Sequence, residues 1–223
     1  RTGAASGVAT KLLARRDARM VGIIGTGLQA ATQLEAVATI RKIERVRAFG
    51  RDPERRQRFA HGMSRKLGVP VEAAASAEEA VHDADILITS TTASKPVVEG
   101  RWLRAGMHVN AIGANFPEKA ELDSDAVSRA DAIFVDSREQ SKLEAGDLIQ
   151  AFEGDYSRWN DVKELSDLVA GRVEGRTSPE QITLFKSNGI AIEDIVTAGR
   201  VYELALQRRI GSNVELWKRD SAS

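Results

Sequence analysis

Residues 19–52, RMVGIIGTGLQAATQLEAVATIRKIERVRAFGRD, hold an apolar run from Val21 to Ile24, glycines at 25 and 27, a small Ala30, and a second apolar run from Val46 to Phe49. Few folds accept that order. The first run reads as a strand, the glycines as a tight turn, and Leu34, Val37, Ala38 and Ile40 as the apolar stripe of a helix. With the second run they complete one βαβ unit, which requires a parallel sheet and a crossover helix covering it. Gly25, Gly27 and Ala30 stand at G-x-G-x-x-A spacing. The first allows the turn, the second lets backbone approach a pyrophosphate, and the third lets helix pack on strand. The amides of Leu28 and Gln29 then face an anion, favoured by the positive end of the helix dipole. A lone triplet of this kind is a weak signal, and a purely structural turn is the competing reading. The flanking strand and helix are what make it a candidate dinucleotide site.

The end of the second strand should meet the adenosine ribose. An NAD site usually places Asp or Glu there, whereas an Arg accommodates the 2′-phosphate of NADP. This chain has Gly50 at that position, followed by Arg51, Asp52 and Pro53, with Arg55 and Arg56 in the next turn. Gly50 cannot bind a diol, and the planar fork of Arg51 suits a phosphate. NADP(H) is therefore expected over NAD(H), which stays possible: a strand ending one residue later would make Asp52 the ribose ligand. Alternatively, Asp52 caps the next helix and the arginines solvate its face.

At 223 residues the chain suits one α/β domain, or one domain plus a small appendage. Lysine plus arginine equals aspartate plus glutamate at 32 each, so no global field favours nucleic acid as a partner. Cysteine is absent, which excludes disulfides and thiolate metal sites. His61, His82 and His108 have no metal-ligand spacing, and no metal is expected. No apolar stretch approaches the roughly 20 residues that cross a bilayer, so membrane is not an expected partner and a cytoplasmic protein is the default.

Strand and helix continue to alternate: PVEAA at 70–74, a helix from Ser76 to Asp83, ADILITST at 84–91, GMHVNAIGA at 106–114, a helix from Asp123 to Arg129, and DAIFVDS at 131–137. The alternation predicts an α/β fold with a Rossmann-type doubly wound parallel sheet. A helical C-terminal segment follows: Asp161 to Ala170 reads as a helix, ITLF at 182–185 as a short strand, and Ile192 to Arg209 as a closing helix. Ligands in such sheets lie beyond the carboxyl ends of the strands, which directs attention to STTASKP, GANFPEKAEL, SREQSK and KSNG. Asp136 ends a strand without a phosphate loop to partner it, and Asp194 near a helix start needs no functional explanation. Trp102, Trp159 and Trp217 are too far apart in sequence to argue a stacking platform.

Taken together, RTGAASGVA, VGIIGTGLQA, ITSTTASKP, AIGANFPEKAEL, VDSREQ with EAGDL, and ITLFKSNGIAIEDIVTA resemble the ornithine cyclodeaminase and mu-crystallin family in order and spacing. The resemblance implies an NAD(P)-dependent oxidoreductase acting on a small amino or imino acid: a ketimine reductase, an amino-acid dehydrogenase or an ornithine cyclodeaminase. It also implies a homodimer formed through a preceding domain, which supplies part of the substrate site. The chain opens at Arg1 without a methionine. We expect residues 1–18 to lead in from that domain as a helix, 19–188 to be the dinucleotide-binding domain, and 189–223 to return towards the preceding domain.

Carried over by position, the resemblance makes Arg1 the partner of a substrate carboxylate, with Thr2 beside the cofactor phosphates. Gly25, Gly27, Leu28 and Gln29 line the pyrophosphate, Gly50 and Arg51 the adenosine side, and Thr92 the nicotinamide side. Ile112, Gly113, Ala114 and Lys119 meet the nicotinamide half, while Ser187 and Asn188 close the site. Asn115 departs from the pattern, since cyclodeaminases resembling this chain carry an aspartate there. An amide can orient a substrate nitrogen but cannot act as a general base, which favours reduction of a preformed imine over cyclodeamination. A non-catalytic NADPH-binding protein is the reading from outside enzymology.

Overall fold

The computed structural model describes residues 1–212 and 214; Trp217 lies outside the described residues. By contacts the chain forms two compact units, one of Thr2–Gly189 and one of Arg1 with the residues from Ile190 onward. In the first unit the apolar runs become β1 (Met20–Ile24), β2 (Arg45–Phe49), β3 (Val71–Ala73), β4 (Ile86–Thr89), β5 (His108–Ala111), β6 (Ala132–Val135), β7 (Lys163–Glu164) and β8 (Thr183–Lys186). All pair in parallel, in the order β3-β2-β1-β4-β5-β8-β6-β7. This is the doubly wound Rossmann-type sheet that the alternation predicts, with the last strand inserted between β5 and β6.

Strands covered on both faces must be apolar on both. Ile86 and Ile88 of β4 therefore join one cluster with Val21, Ile23, Val46 and Ala48, packed under α2 (Leu28–Ile40) and α3 (Pro53–Leu67). Leu87 points the other way, into a cluster with Val109, Ala111 and Leu184 beneath α4 (Ala77–Val81) and α5 (Ser124–Ser128). A third cluster sets Ala9 and Leu13 of α1 (Thr2–Leu13) on Phe134 and Phe185. His108 is a core imidazole: it is fully buried, with Nδ1 2.9 Å from the Thr183 hydroxyl and Nε2 without a hydrogen-bond partner among the described residues.

Two stretches differ from the sequence reading. Asp161 to Ala170 is not one helix, because Lys163 and Glu164 pair with Phe134 and Val135 as β7, leaving α8 only Leu165–Val169. Beyond β6 the chain forms α6 (Arg138–Glu144) and α7 (Gly146–Ala151), which the alternation does not mark. Trp159 is buried edge-on against Phe152, with ring centroids 5.1 Å apart, so it serves packing. In the second unit, α9 (Ala191–Arg208) carries Glu193 and Asp194 in its first turn.

Candidate functional site

Strand order reverses at β1, which has β2 on one side and β4 on the other, and a crevice of about 820 Å³ opens there beyond their carboxyl ends. Its walls are Ile24 to Gly27, Phe49 to Asp52 with Arg55, and Ser90 to Val97. Gly25 adopts φ +118° and a Cβ there would come within 2.2 Å of the Ser90 carbonyl, so the turn admits only glycine. Gly27 is the N-cap of α2 and offers no side chain to its first amides. Ala30 is fully buried, as close packing of α2 on the sheet requires. An uncapped helix N-terminus reached through a side-chain-free turn fits the pyrophosphate of a dinucleotide.

The adenosine end is decided by where β2 stops. It ends at Phe49, and Asp52 caps α3 by accepting a hydrogen bond from the Arg55 amide at 3.0 Å. That bond is the main reason the Asp52 carboxyl is held below the ordinary aspartate range. The three nearby arginines have different tasks. Arg56 donates to the Gly50 carbonyl at 3.0 Å and stacks over Phe49. Arg55 reaches back to the Thr26 carbonyl at 3.2 Å, beside Gly27, which puts it on the glycine turn instead of a solvated helix face. The exposed Arg51 side chain makes no hydrogen bond or ion pair among the described residues.

Other expected site residues sit on neighbouring elements. Thr92 lies in the crevice wall, whereas Leu28 and Gln29 are exposed on the first turn of α2. Ile112, Gly113 and Ala114 follow β5, with exposed Asn115 after them; the Lys119 ammonium sits 4.4 Å from the Phe116 ring centroid. Ser187 and Asn188 follow β8, where Asp136 gathers the turn: its carboxylate accepts from the Ser187 hydroxyl and the amides of Asn188 and Gly189 at 2.8 to 2.9 Å. Burial nevertheless pushes the Asp136 carboxyl above its ordinary value. Thr2 opens α1. Arg1 belongs to the second unit, where it pairs with Asp194 and lies 3.8 Å from Glu193.

Sequence reasoning passed over four residues at this end of the sheet: Glu121, Asp147, Lys186 and the structural role of Asp136. Glu121 is completely buried and accepts from Thr89 Oγ1, Thr91 N and Gly113 N. Asp147 accepts from the Glu121 and Leu122 amides and lies 3.3 Å from Lys186 Nζ, with both side chains at zero exposure. Burial, then the charge of Asp147, raises the Glu121 carboxyl above its ordinary value. No group of histidine, aspartate and glutamate suited to a metal occurs among the described residues, and none of their helices is long and apolar enough to cross a membrane.

A parallel doubly wound sheet whose switch-point crevice is floored by an uncapped glycine turn defines a protein of the Rossmann type with a crevice that fits a dinucleotide. The chain belongs to the ornithine cyclodeaminase/mu-crystallin family, whose model matches residues 1–209. It is 43% identical over 216 residues to a Δ1-pyrroline-2-carboxylate reductase of Bacillus cereus, covering 96% of this chain and 66% of that protein. The Thermococcus litoralis Δ1-pyrroline-2-carboxylate reductase, solved with NADH and L-proline, superposes with a TM-score of 0.92 at 46% identity, covering 96% of this chain and 66% of that one. An archaeal alanine dehydrogenase dimer with bound NAD gives 0.90 at 38%, covering 97% and 67%. The chain thus spans about two thirds of the length of its relatives.

Proposed function

We propose that this chain holds NADP(H) for an oxidoreductase that reduces a small cyclic ketimine, or interconverts an α-amino acid and its imine. The observation that carries the reading is the crevice itself: a glycine turn without side chains, the uncapped start of α2, and an unengaged guanidinium at the end of β2. The relatives that reduce Δ1-pyrroline-2-carboxylate support the substrate class.

When bound, the cofactor supplies a hydride from its nicotinamide ring. In this reading the amides of Leu28 and Gln29, with Gly25, Gly27 and Thr2, hold the pyrophosphate. Arg51 takes the 2′-phosphate beside Gly50, and Arg55 adds charge to the same wall. Thr92, Ile112, Gly113, Ala114, Lys119 and Ser187 surround the nicotinamide half. Arg1 exchanges its Asp194 partner for the substrate carboxylate, Asn188 contributes hydrogen bonds, and Asn115 orients the substrate nitrogen. A preformed imine needs these services and no general base, which is why Asn115 favours reduction over cyclodeamination. The division at residues 18 and 188 and a homodimeric assembly belong to the same proposal, and the archaeal alanine dehydrogenase dimer supports the second.

Calorimetric titration of the wild type and Arg51→Ala with NADPH and NADH tests the cofactor. The variant should lose about tenfold or more in affinity for NADPH alone; equal loss for both, or none, removes the Arg51 assignment. The full-length protein should then oxidise NADPH in the presence of Δ1-pyrroline-2-carboxylate. Ammonia release from ornithine without net cofactor change would instead mark a cyclodeaminase, and binding without turnover a non-catalytic protein.

A further inference from the structure

The crevice wall from Ser90 to Val97 is fastened at both of its ends by one residue outside it. The Glu121 carboxylate accepts the Thr91 amide at 2.6 Å through Oε1, and the Gly113 amide and Thr89 hydroxyl at 2.6 and 2.7 Å through Oε2. The Glu121 carbonyl accepts the amides of Val97 and Val98 at 2.8 and 3.0 Å. Five donors therefore converge on this residue, three from the ends of β4 and β5 and two from the far end of the loop. We propose that Glu121 is the positioning residue of the nicotinamide end of the site, setting the separation between the turn after β4 and the turn after β5.

The inference rests on the dinucleotide reading above and adds a named device to it. A charged carboxylate is seldom buried without full pairing, and a buried one bound by several donors is stiff as well as costly to disturb. The fit is tight enough that a Cβ on Gly113 would lie 2.4 Å from both Glu121 Oε1 and the Thr91 carbonyl. Neither turn can slide without breaking a charge-assisted bond. Glu121 is fixed in turn by Asp147, which takes its amide at 2.6 Å and faces Lys186 at the end of β8. One buried chain thereby ties together the carboxyl ends of β4, β5 and β8, where a nicotinamide ring and its ribose would lie. The adenosine end, built from β1, β2 and α3, makes none of these bonds.

That asymmetry gives the test. Two probes are titrated into wild type and Glu121→Gln: NADPH, and 2′-phospho-ADP-ribose, which has the same phosphates and adenosine but no nicotinamide. Glutamine keeps the shape but turns an NH₂ towards groups that are themselves donors, releasing one turn. The variant should lose about tenfold in NADPH affinity while binding the fragment within about twofold of wild type. The fluorescence of its bound NADPH should shift towards that of the free cofactor. Parallel loss of both probes, or unchanged binding with unchanged fluorescence, overturns the assignment. Wild type that binds only NADH and ADP-ribose moves the same comparison to that pair, with the same outcomes expected of the variant; wild type that binds neither pair overturns the dinucleotide reading itself, and this inference with it. If Glu121→Gln does not fold, Thr89→Val removes one donor and leaves the charge; it should weaken NADPH by about threefold and spare the fragment, and no difference between the probes refutes the role.

Discussion

The carbonyl oxygen of Ser90 occupies the place that a side chain on Gly25 would need, 2.2 Å from where its Cβ would sit. The two are held there from both sides, because Gly25 donates to the Phe49 carbonyl and Ser90 to the Ile24 carbonyl, each at 2.8 Å. Gly25→Ala must therefore tear a strand end apart as well as strain a backbone at φ +118°. The expected cost is about 1–3 kcal/mol from the backbone alone, which lowers the melting temperature by roughly 4–10 °C. Dinucleotide binding should disappear at the same time. Gly62→Ala, inside α3 with nothing within 4 Å of the new methyl, is the control and should gain about 0.5–1 kcal/mol.

Asp52 offers a test of whether stability and cofactor choice are separate at the end of β2. Its carboxyl is depressed chiefly by the hydrogen bond from the Arg55 amide, so the folded state binds its proton less readily than the unfolded chain. The stabilisation is present above the ordinary aspartate range and is lost as pH falls through the lower folded value. Asp52→Ala should accordingly melt below wild type at neutral pH, with the gap closing in acid. Its ratio of NADPH to NADH affinity should match that of wild type, because the capping carboxylate is already engaged. A swing in that ratio would identify Asp52 as a ribose ligand.

Much of the architecture was legible because its strands are covered on both faces. Val21 to Ile24 and Ile86 to Ile88 must be continuously apolar, and such runs can be read directly. Lys163–Glu164 could not be read as a strand, since two polar residues join the sheet only through the exposed edge of β6. Nor does local pattern report that β8 enters between β5 and β6, which is a matter of long-range packing. The same division holds in the site. The glycine turn has a spacing dictated by local geometry. Glu121 stands in the polar run EKAEL, which looks solvent-facing, and only donors such as Thr89, 32 residues away, make the burial of its carboxylate tolerable.

His108 predicts an acid-sensitive fold. Burial, reinforced by the charge of Arg176, lowers its imidazole to about 3 from an ordinary 6.5. The folded protein keeps it neutral while the unfolded chain takes up a proton, so stability present above pH 6.5 is lost as pH falls towards 3. The slope from this one group reaches about 1.4 kcal/mol per pH unit. The raised carboxyls of Glu121 and Asp136 act in the opposite sense, weakening the fold as pH rises through the window above their ordinary values. Urea denaturation between about pH 5 and 7 on wild type and His108→Gln isolates the imidazole. The variant should lose most of the acid slope, and an unchanged slope would show that the imidazole does not resist protonation in the folded state.

Lys186 and Asp147 form an ion pair with no access to water, and such pairs behave asymmetrically when cut. Lys186→Met leaves a buried carboxylate facing hydrocarbon and should cost about 3–5 kcal/mol. Asp147→Asn combined with it removes the charge while its carbonyl oxygen can still accept from the Glu121 and Leu122 amides, the bonds that Asp147 makes at 2.6 and 2.9 Å. The double variant should therefore recover much of the loss, giving a coupling well beyond the roughly 0.5 kcal/mol expected of independent sites. Additive costs would mean that the two charges are stabilised separately by their surroundings. In that case the link from β8 to Glu121 would be steric, and cutting it at Lys186 would leave the turns after β4 and β5 undisturbed.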